Sequence, residues 1–176
     1  MLAPCLRKKI HSRLVWGGTV RIEGEGGRYL SIARSLKKNA NLLPKYACEL
    51  KGISKEIRAS SFWYNAELHI FLVSDKTIGV LNKRYRGRDK TTNVLSFVYD
   101  GEFPRGKGER KMLGEIYLAP DYIKVHGEVI TDLLVHGFLH ILGYDHKTNR
   151  DMMSMQKAEN ILLKKLTANN NRVASH

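Results

Sequence analysis

The chain has 176 residues, 43% hydrophobic and 27% charged, which suits one globular domain with a real core. It has no run of 18 apolar residues, so no membrane-spanning helix is expected. Its two distant cysteines, Cys5 and Cys48, give neither a disulfide framework nor a thiolate metal site and fit a reducing, cytoplasmic setting. The net charge of +13 exceeds what solubility needs and points to a polyanionic partner, most simply nucleic acid.

Residues 1–58 carry 13 Lys/Arg against 4 Asp/Glu, nine of the thirteen net charges. Residues 1–18 read as a basic, flexible extension closed by Gly17-Gly18, with no apolar core of signal-peptide length. The folded unit is expected over 19–166. Thr19–Glu23 alternates as a short strand. Tyr29, Ile32, Ala33 and Leu36 have helical spacing. Pro44 is expected to interrupt, with a second helical stretch from Lys45 toward Ile57. Leu68–Val73 reads as a buried strand. Asp75 is the expected cap of a helix carrying Ile78, Leu81 and Asn82. Val94–Val98 is a strand, Gly101–Lys111 a loop, and Gly114–Leu118 a strand closed by Pro120. Val129–Leu142 reads as a helix with Leu133, Leu134, Phe138, Ile141 and Leu142 available for the core. Asn149 is the expected cap of a last helix with Met152, Met155, Ile161, Leu162 and Leu166 inward, its methionines filling core space. A frayed polar tail, 167–176, follows. Four strands and about five helices make a single α+β or α/β domain of unspecified strand order.

The Val129–Leu142 helix carries the chemistry. His136 and His140 are four residues apart and project from one helical face. Gly143 can end the helix with positive φ, letting the chain double back and bring His146 to the same point. A shuffled chain of this composition carries His-x3-His-x2-Gly-x2-His roughly one time in a thousand. Three imidazoles leave one tetrahedral position open, as a catalytic zinc requires. The ligand spacing is that of the His-Glu-x-x-His zinc proteases, but their general base is replaced by Gly137, which cannot take a proton. A metal beside a polyanion site suggests phosphodiester chemistry. A second basic cluster, Lys83-Arg84-Tyr85-Arg86-Gly87-Arg88-Asp89-Lys90, is a candidate phosphate-binding surface.

Two segments resemble a known family. His136-Gly-Phe-Leu-His140-Ile-Leu-Gly-Tyr-Asp-His146 matches the H-G-x-L-H-x-x-G-Y-D-H signature of YbeY, the bacterial metal-dependent endoribonucleases of ribosomal RNA maturation. Leu81 to Phe97 is similar to that family's second block, L-N-x-x-Y-R-x-x-D-x-P-T-[DN]-V-L-S-F-P, and Leu113-Gly114-Glu115-Ile116 to its L-G-[DE]-I strand. The likeness covers about residues 65–165. It departs where Thr91 and Val98 replace prolines of the pattern, which bears on backbone rigidity and not on ligands.

The resemblance implies a mixed, mostly parallel four-stranded α+β sheet around a zincin-like histidine helix. It implies one zinc ion held by His136, His140 and His146, and Arg86 as the functional arginine. It implies endonucleolytic cleavage of single-stranded RNA in the cytoplasm, at the 3′ end of the small-subunit rRNA, in ribosome biogenesis. Arg84, Arg88 and Lys90 are then expected to hold neighbouring phosphates. Tyr144 is open between base stacking and packing, and Asp145 between orienting a histidine and shaping the turn. Two rivals stand: a zinc protease using a substitute carboxylate such as Glu115, and a non-catalytic, zinc-stabilised rRNA-binding assembly factor.

Overall fold

The computed structural model describes residues 19–50, 53, 66–99 and 110–174. In chain order these form β1 (Thr19–Gly24), a 3-10 turn (Glu25–Gly27), α1 (Leu30–Ala47), β2 (Ala66–Leu72), α2 (Asp75–Arg86) and β3 (Val94–Val98). Then come β4 (Lys111–Leu118), α3 (Pro120–Val125), α4 (Ile130–Ile141) and α5 (Asn149–Ala174). The basic extension at 1–18, most of the stretch toward Ile57 and the loop at 101–109 lie outside the described residues. No helix among the described residues is long and apolar enough to cross a membrane.

The strands lie in the order β1-β2-β4-β3. β1, β2 and β4 are parallel, and β3 runs antiparallel to β4, with Val94 opposite Leu118 and Val98 opposite Gly114. The mixed, mostly parallel four-stranded α+β architecture is therefore the one observed, with β3 left on an edge.

Side-chain alternation gives the sheet two unlike faces. In β2, Ala66, Leu68, Ile70 and Leu72 are buried, whereas Glu67, His69 and Phe71 are half-buried. The first set joins Leu36, Ala40 and Leu43 of α1, Leu134, Phe138 and Leu139 of α4, and Met155 and Leu162 of α5 in the main core. Each leucine, isoleucine, phenylalanine or methionine in it contributes roughly 1.5–3 kcal/mol by leaving water. The opposite face carries a smaller cluster, Val73, Ile78, Leu95 and Ala119, under Phe71, Phe97 and Tyr117.

Several boundaries differ from expectation. α1 continues through Pro44 to Ala47, because Pro44 sits in the final turn and the buried Leu43 and Ala47 hold that turn against the core. Ser74, not Asp75, caps α2: its hydroxyl accepts the Thr77 N–H at 3.3 Å. The Asp75 carboxylate instead accepts the Tyr122 N–H at 3.2 Å, at the start of α3, a helix the sequence reading did not contain. Thr148, not Asn149, precedes α5, exchanging bonds with Asp151: its hydroxyl accepts the Asp151 N–H at 3.2 Å and donates to the carboxylate at 2.7 Å. The polar segment from Thr167 is helical as far as Ala174, and the Asn170 side-chain amide reaches Asn39 of α1 at 3.3 Å. Met152 and Ile161 of α5 point outward, 51% and 42% exposed, and of the helix's methionines Met155 alone fills the core.

Candidate active site

α4 carries His136 and His140 on one side and packs against β3 and β4 on the other. Gly137 is the contact point. A Cβ there would stand 3.1 Å from Ile116 Cγ2 and 3.3 Å from Val94 Cγ2, a tight fit in which these two side chains would have to give by a few tenths of an ångström. Close packing against the sheet thus disfavours the carboxylate that a protease carries at this position. The helix ends as the sequence predicts. Gly143 has φ 87°, its N–H reaches the His140 carbonyl at 3.0 Å, and the Tyr144 N–H reaches the Leu139 carbonyl at 3.0 Å. Tyr144 turns into the core at 9% exposure, the packing alternative of its two expected roles. The chain then returns through Asp145 to His146.

The three histidines converge, each with one ring nitrogen within 4.8 Å of the others'. The Nε2 atoms of His136 and His140 are 3.1 Å apart. Their outer nitrogens are already engaged. His136 Nδ1 donates to the Glu159 carboxylate at 2.8 Å, and His140 Nδ1 donates to the Tyr144 carbonyl at 2.9 Å. A carbonyl can only accept, so neutral His140 carries its proton on Nδ1; Glu159 fixes the same tautomer in His136. The two Nε2 atoms face each other at 3.1 Å, an arrangement in which both can turn a lone pair toward one cation. Imidazole nitrogens stand about 2.0–2.1 Å from zinc, hence about 3.3 Å apart in a tetrahedron, close to the observed spacing. The residues fit a divalent ion.

The surroundings favour the neutral form of His140. Burial, and then the neighbouring His136 and His146, push His140 below the ordinary histidine range, against a smaller upward pull from the Tyr144 carbonyl. One Asp145 carboxylate oxygen accepts the His146 backbone N–H at 2.8 Å, shaping the turn, and lies 3.3 Å from His146 Nδ1. Its bond from Lys147, and then that backbone N–H, hold its carboxyl at about 2.

The histidines open into a cleft of about 760 Å³ whose wall is the β3 edge. Arg86, Arg88, Lys90 and Lys147 share the cleft with the histidines. Arg86 closes α2, and its guanidinium donates to the Ser96 carbonyl at 3.4 Å, across the edge strand. Gly87 follows at φ 67°, and the loop after it is pinned by Asn82, which is 3% exposed and donates to the Lys90 carbonyl at 2.7 Å. Asn82 was expected on the helix's packing face; its amide also sets the path of the cationic loop. Arg84 is not among the cleft-lining residues; its guanidinium lies 5.5 Å from the Tyr85 ring centroid.

Glu115, the carboxylate a protease would need, takes its hydrogen bond from the Tyr117 hydroxyl at 2.7 Å. It alternates with Ile116, which meets α4, and so lies on the opposite sheet face from the histidines. Glu159 is the functional residue that sequence reasoning missed. Its one signal was an acid on the inward stripe of α5, between Met155, Ala158 and Leu162. Also unassigned by the sequence were His126, stacked on Tyr122 at 3.9 Å in the cleft, and Glu128, which accepts from Asn93 at 2.9 and 3.1 Å.

The family model described as endoribonuclease YbeY matches residues 37–167. The endoribonuclease YbeY of Neorickettsia sennetsu is 36% identical over 135 residues, covering 70% of this chain and 92% of that protein. That of Magnetococcus marinus is 37% identical over 111 residues, 55% of this chain and 76% of the relative. A solution structure of a Thermotoga maritima protein aligns with 86% of this chain and 93% of its own, at 22% identity and a TM-score of 0.46. The chain belongs to the endoribonuclease YbeY family.

Proposed function

We propose that this protein is a zinc-dependent, single-strand-specific endoribonuclease of the cytoplasm that matures ribosomal RNA at the 3′ end of the small-subunit rRNA, and so acts in ribosome biogenesis. Its enzyme class follows from its family. The metal, the RNA site and the partner, the small ribosomal subunit, are our reading. The single observation that carries it is that His136, His140 and His146 open into the same cationic cleft as Arg86.

An ion held by the three imidazoles supplies Lewis acidity and an activated water at neutral pH. The remaining work falls to the protein. In hydrolysis of a phosphodiester, a water oxygen bonds to phosphorus, the bridging P–O bond breaks, and the departing oxygen takes up a proton. Negative charge gathers on the non-bridging oxygens meanwhile. Arg86 presents a planar fork of donors to that charge. Arg88 and Lys90 hold adjacent phosphates without reading sequence, and Arg84 does so from outside the cleft. Glu159, Tyr144 and Asp145 keep the rings aimed. The catalytic unit is the segment 19–166, with the basic residues 1–18 adding attraction for RNA.

The test is incubation of metal-loaded protein with single-stranded RNA, duplex RNA and unfolded protein. Cleavage of the single strand alone is expected. Binding of RNA without cleavage would make the protein an assembly factor instead.

A further inference from the structure

β3 divides the molecule at its edge. Ser96 and Val98 line the histidine cleft on one side, while Phe97 packs with Tyr117 on the opposite face, ring centroids 5.8 Å apart. Arg86 reaches over that edge to the Ser96 carbonyl. The residue before it, Tyr85, lies against Phe97, centroids 5.0 Å apart and planes tilted by 61°. This contact holds the ring in place, yet Tyr85 remains 56% exposed. An aromatic residue that only fills a core is buried; this one is fixed and open. The Arg84 guanidinium lies over one face of the ring, 5.5 Å from its centroid, so a base would stack on the other face or slide in beside the cation. Residues 83–90 carry five cations and one acid, Asp89, which is paired with Lys83 at 2.6 Å.

We propose that Tyr85, with Arg84 beside it, is a stacking subsite for an unpaired nucleobase of the RNA strand where that strand leaves the histidine cleft across the β3 edge. The inference rests on the nuclease reading above and deepens it. A rigid aromatic face takes any base, and an adjacent guanidinium takes the phosphate that accompanies it. Bases in a duplex are already stacked on each other, so the subsite selects single strands. It also places the phosphate held by Arg84, which does not line the cleft, next to the stacked base.

The experiment measures binding of a short single-stranded RNA carrying a fluorescent aminopurine base, with metal chelated so the strand stays whole, alongside cleavage by the metal-loaded protein. Wild type and Tyr85→Phe are expected to bind alike and to quench the reporter. Tyr85→Leu keeps the bulk against Phe97 without a π-face; it should lose quenching and bind at least about five-fold more weakly, the lower end for one base–aromatic stack. Matching thermal melts establish that the leucine variant is folded. Duplex RNA of the same length should compete poorly. If wild type binds and cuts RNA while Tyr85→Leu binds equally well, or if duplex competes as well as single strand, the platform is wrong and the nuclease reading survives. If wild type neither binds nor cuts RNA, the nuclease reading fails and this inference with it.

Discussion

The Glu159 carboxylate stands 2.8 Å from His136 Nδ1, joining α5 to the histidine helix. The two residues are 23 positions apart, and their side chains are 25% and 32% exposed. A carboxylate on the outer nitrogen of a histidine ligand fixes its tautomer, aims the ring and raises its basicity. Glu159→Ala is therefore expected to weaken zinc binding about 10–100-fold while leaving the fold intact. Glu159→Gln, which retains an acceptor oxygen, should fall between. Competition with a chelating dye measures this, and unchanged affinity in Glu159→Ala would show that Glu159 has no part in the site.

Arg86 is exposed and makes one long bond, 3.4 Å, to the Ser96 carbonyl. Arg86→Ala should leave the melting temperature unchanged and reduce turnover of single-stranded RNA by about 10²–10³, the usual effect of removing one transition-state donor. Full activity in the folded variant would remove Arg86 from the chemistry.

Gly137 tests why the site has no protease-type base. A glutamate there must displace Ile116 and Val94 and bury a carboxylate against the sheet. Gly137→Glu is expected to destabilise the protein by about 1–3 kcal/mol or more, seen in urea titration, and to create no peptidase activity. A stable variant would mean that α4 can lift from the sheet.

Asn82 is buried and bonds to the Lys90 carbonyl at 2.7 Å. Asn82→Ala leaves that carbonyl without its partner, at a cost of about 1–3 kcal/mol, and frees the loop bearing Arg88 and Lys90. Denaturation should register the loss of stability, and RNA binding should weaken with it.

Glu25 supplies a pH dependence. The Ser74 backbone N–H at 2.6 Å, and then the Thr77 hydroxyl at 2.9 Å, hold its carboxyl below the usual carboxylate range. A lowered folded pKa contributes stability that is present above the unfolded value of 4.5 and is lost as pH falls through the folded one. Glu25→Gln should thus melt earlier than wild type at pH 7, and the gap should close in acid. A gap that persists at all pH would assign the effect to packing.

The sequence was most legible where chemistry and geometry coincide. Val94–Val98 was read to the residue, and the histidine spacing, with Gly143 as helix terminator, led directly to the convergent rings. Boundaries set by competition between neighbours were not legible. Ser74 and Asp75 are both good caps, and the choice turned on Tyr122, 47 residues away, which takes the Asp75 carboxylate. Arg84 and Arg86 looked equivalent in a basic run. On a helix, residues two apart face opposite ways, so only Arg86 reaches the cleft, while Arg88 and Lys90 enter it after the Gly87 turn. Glu159 was hidden because its role exists only once α5 packs against α4.

The central claim is that His136, His140 and His146 together hold one divalent ion. Metal content per chain, measured on wild type and on folded His140→Ala, tests it most directly. One zinc per wild-type chain and none in the variant is the predicted result. A variant that keeps its full complement of metal would contradict it.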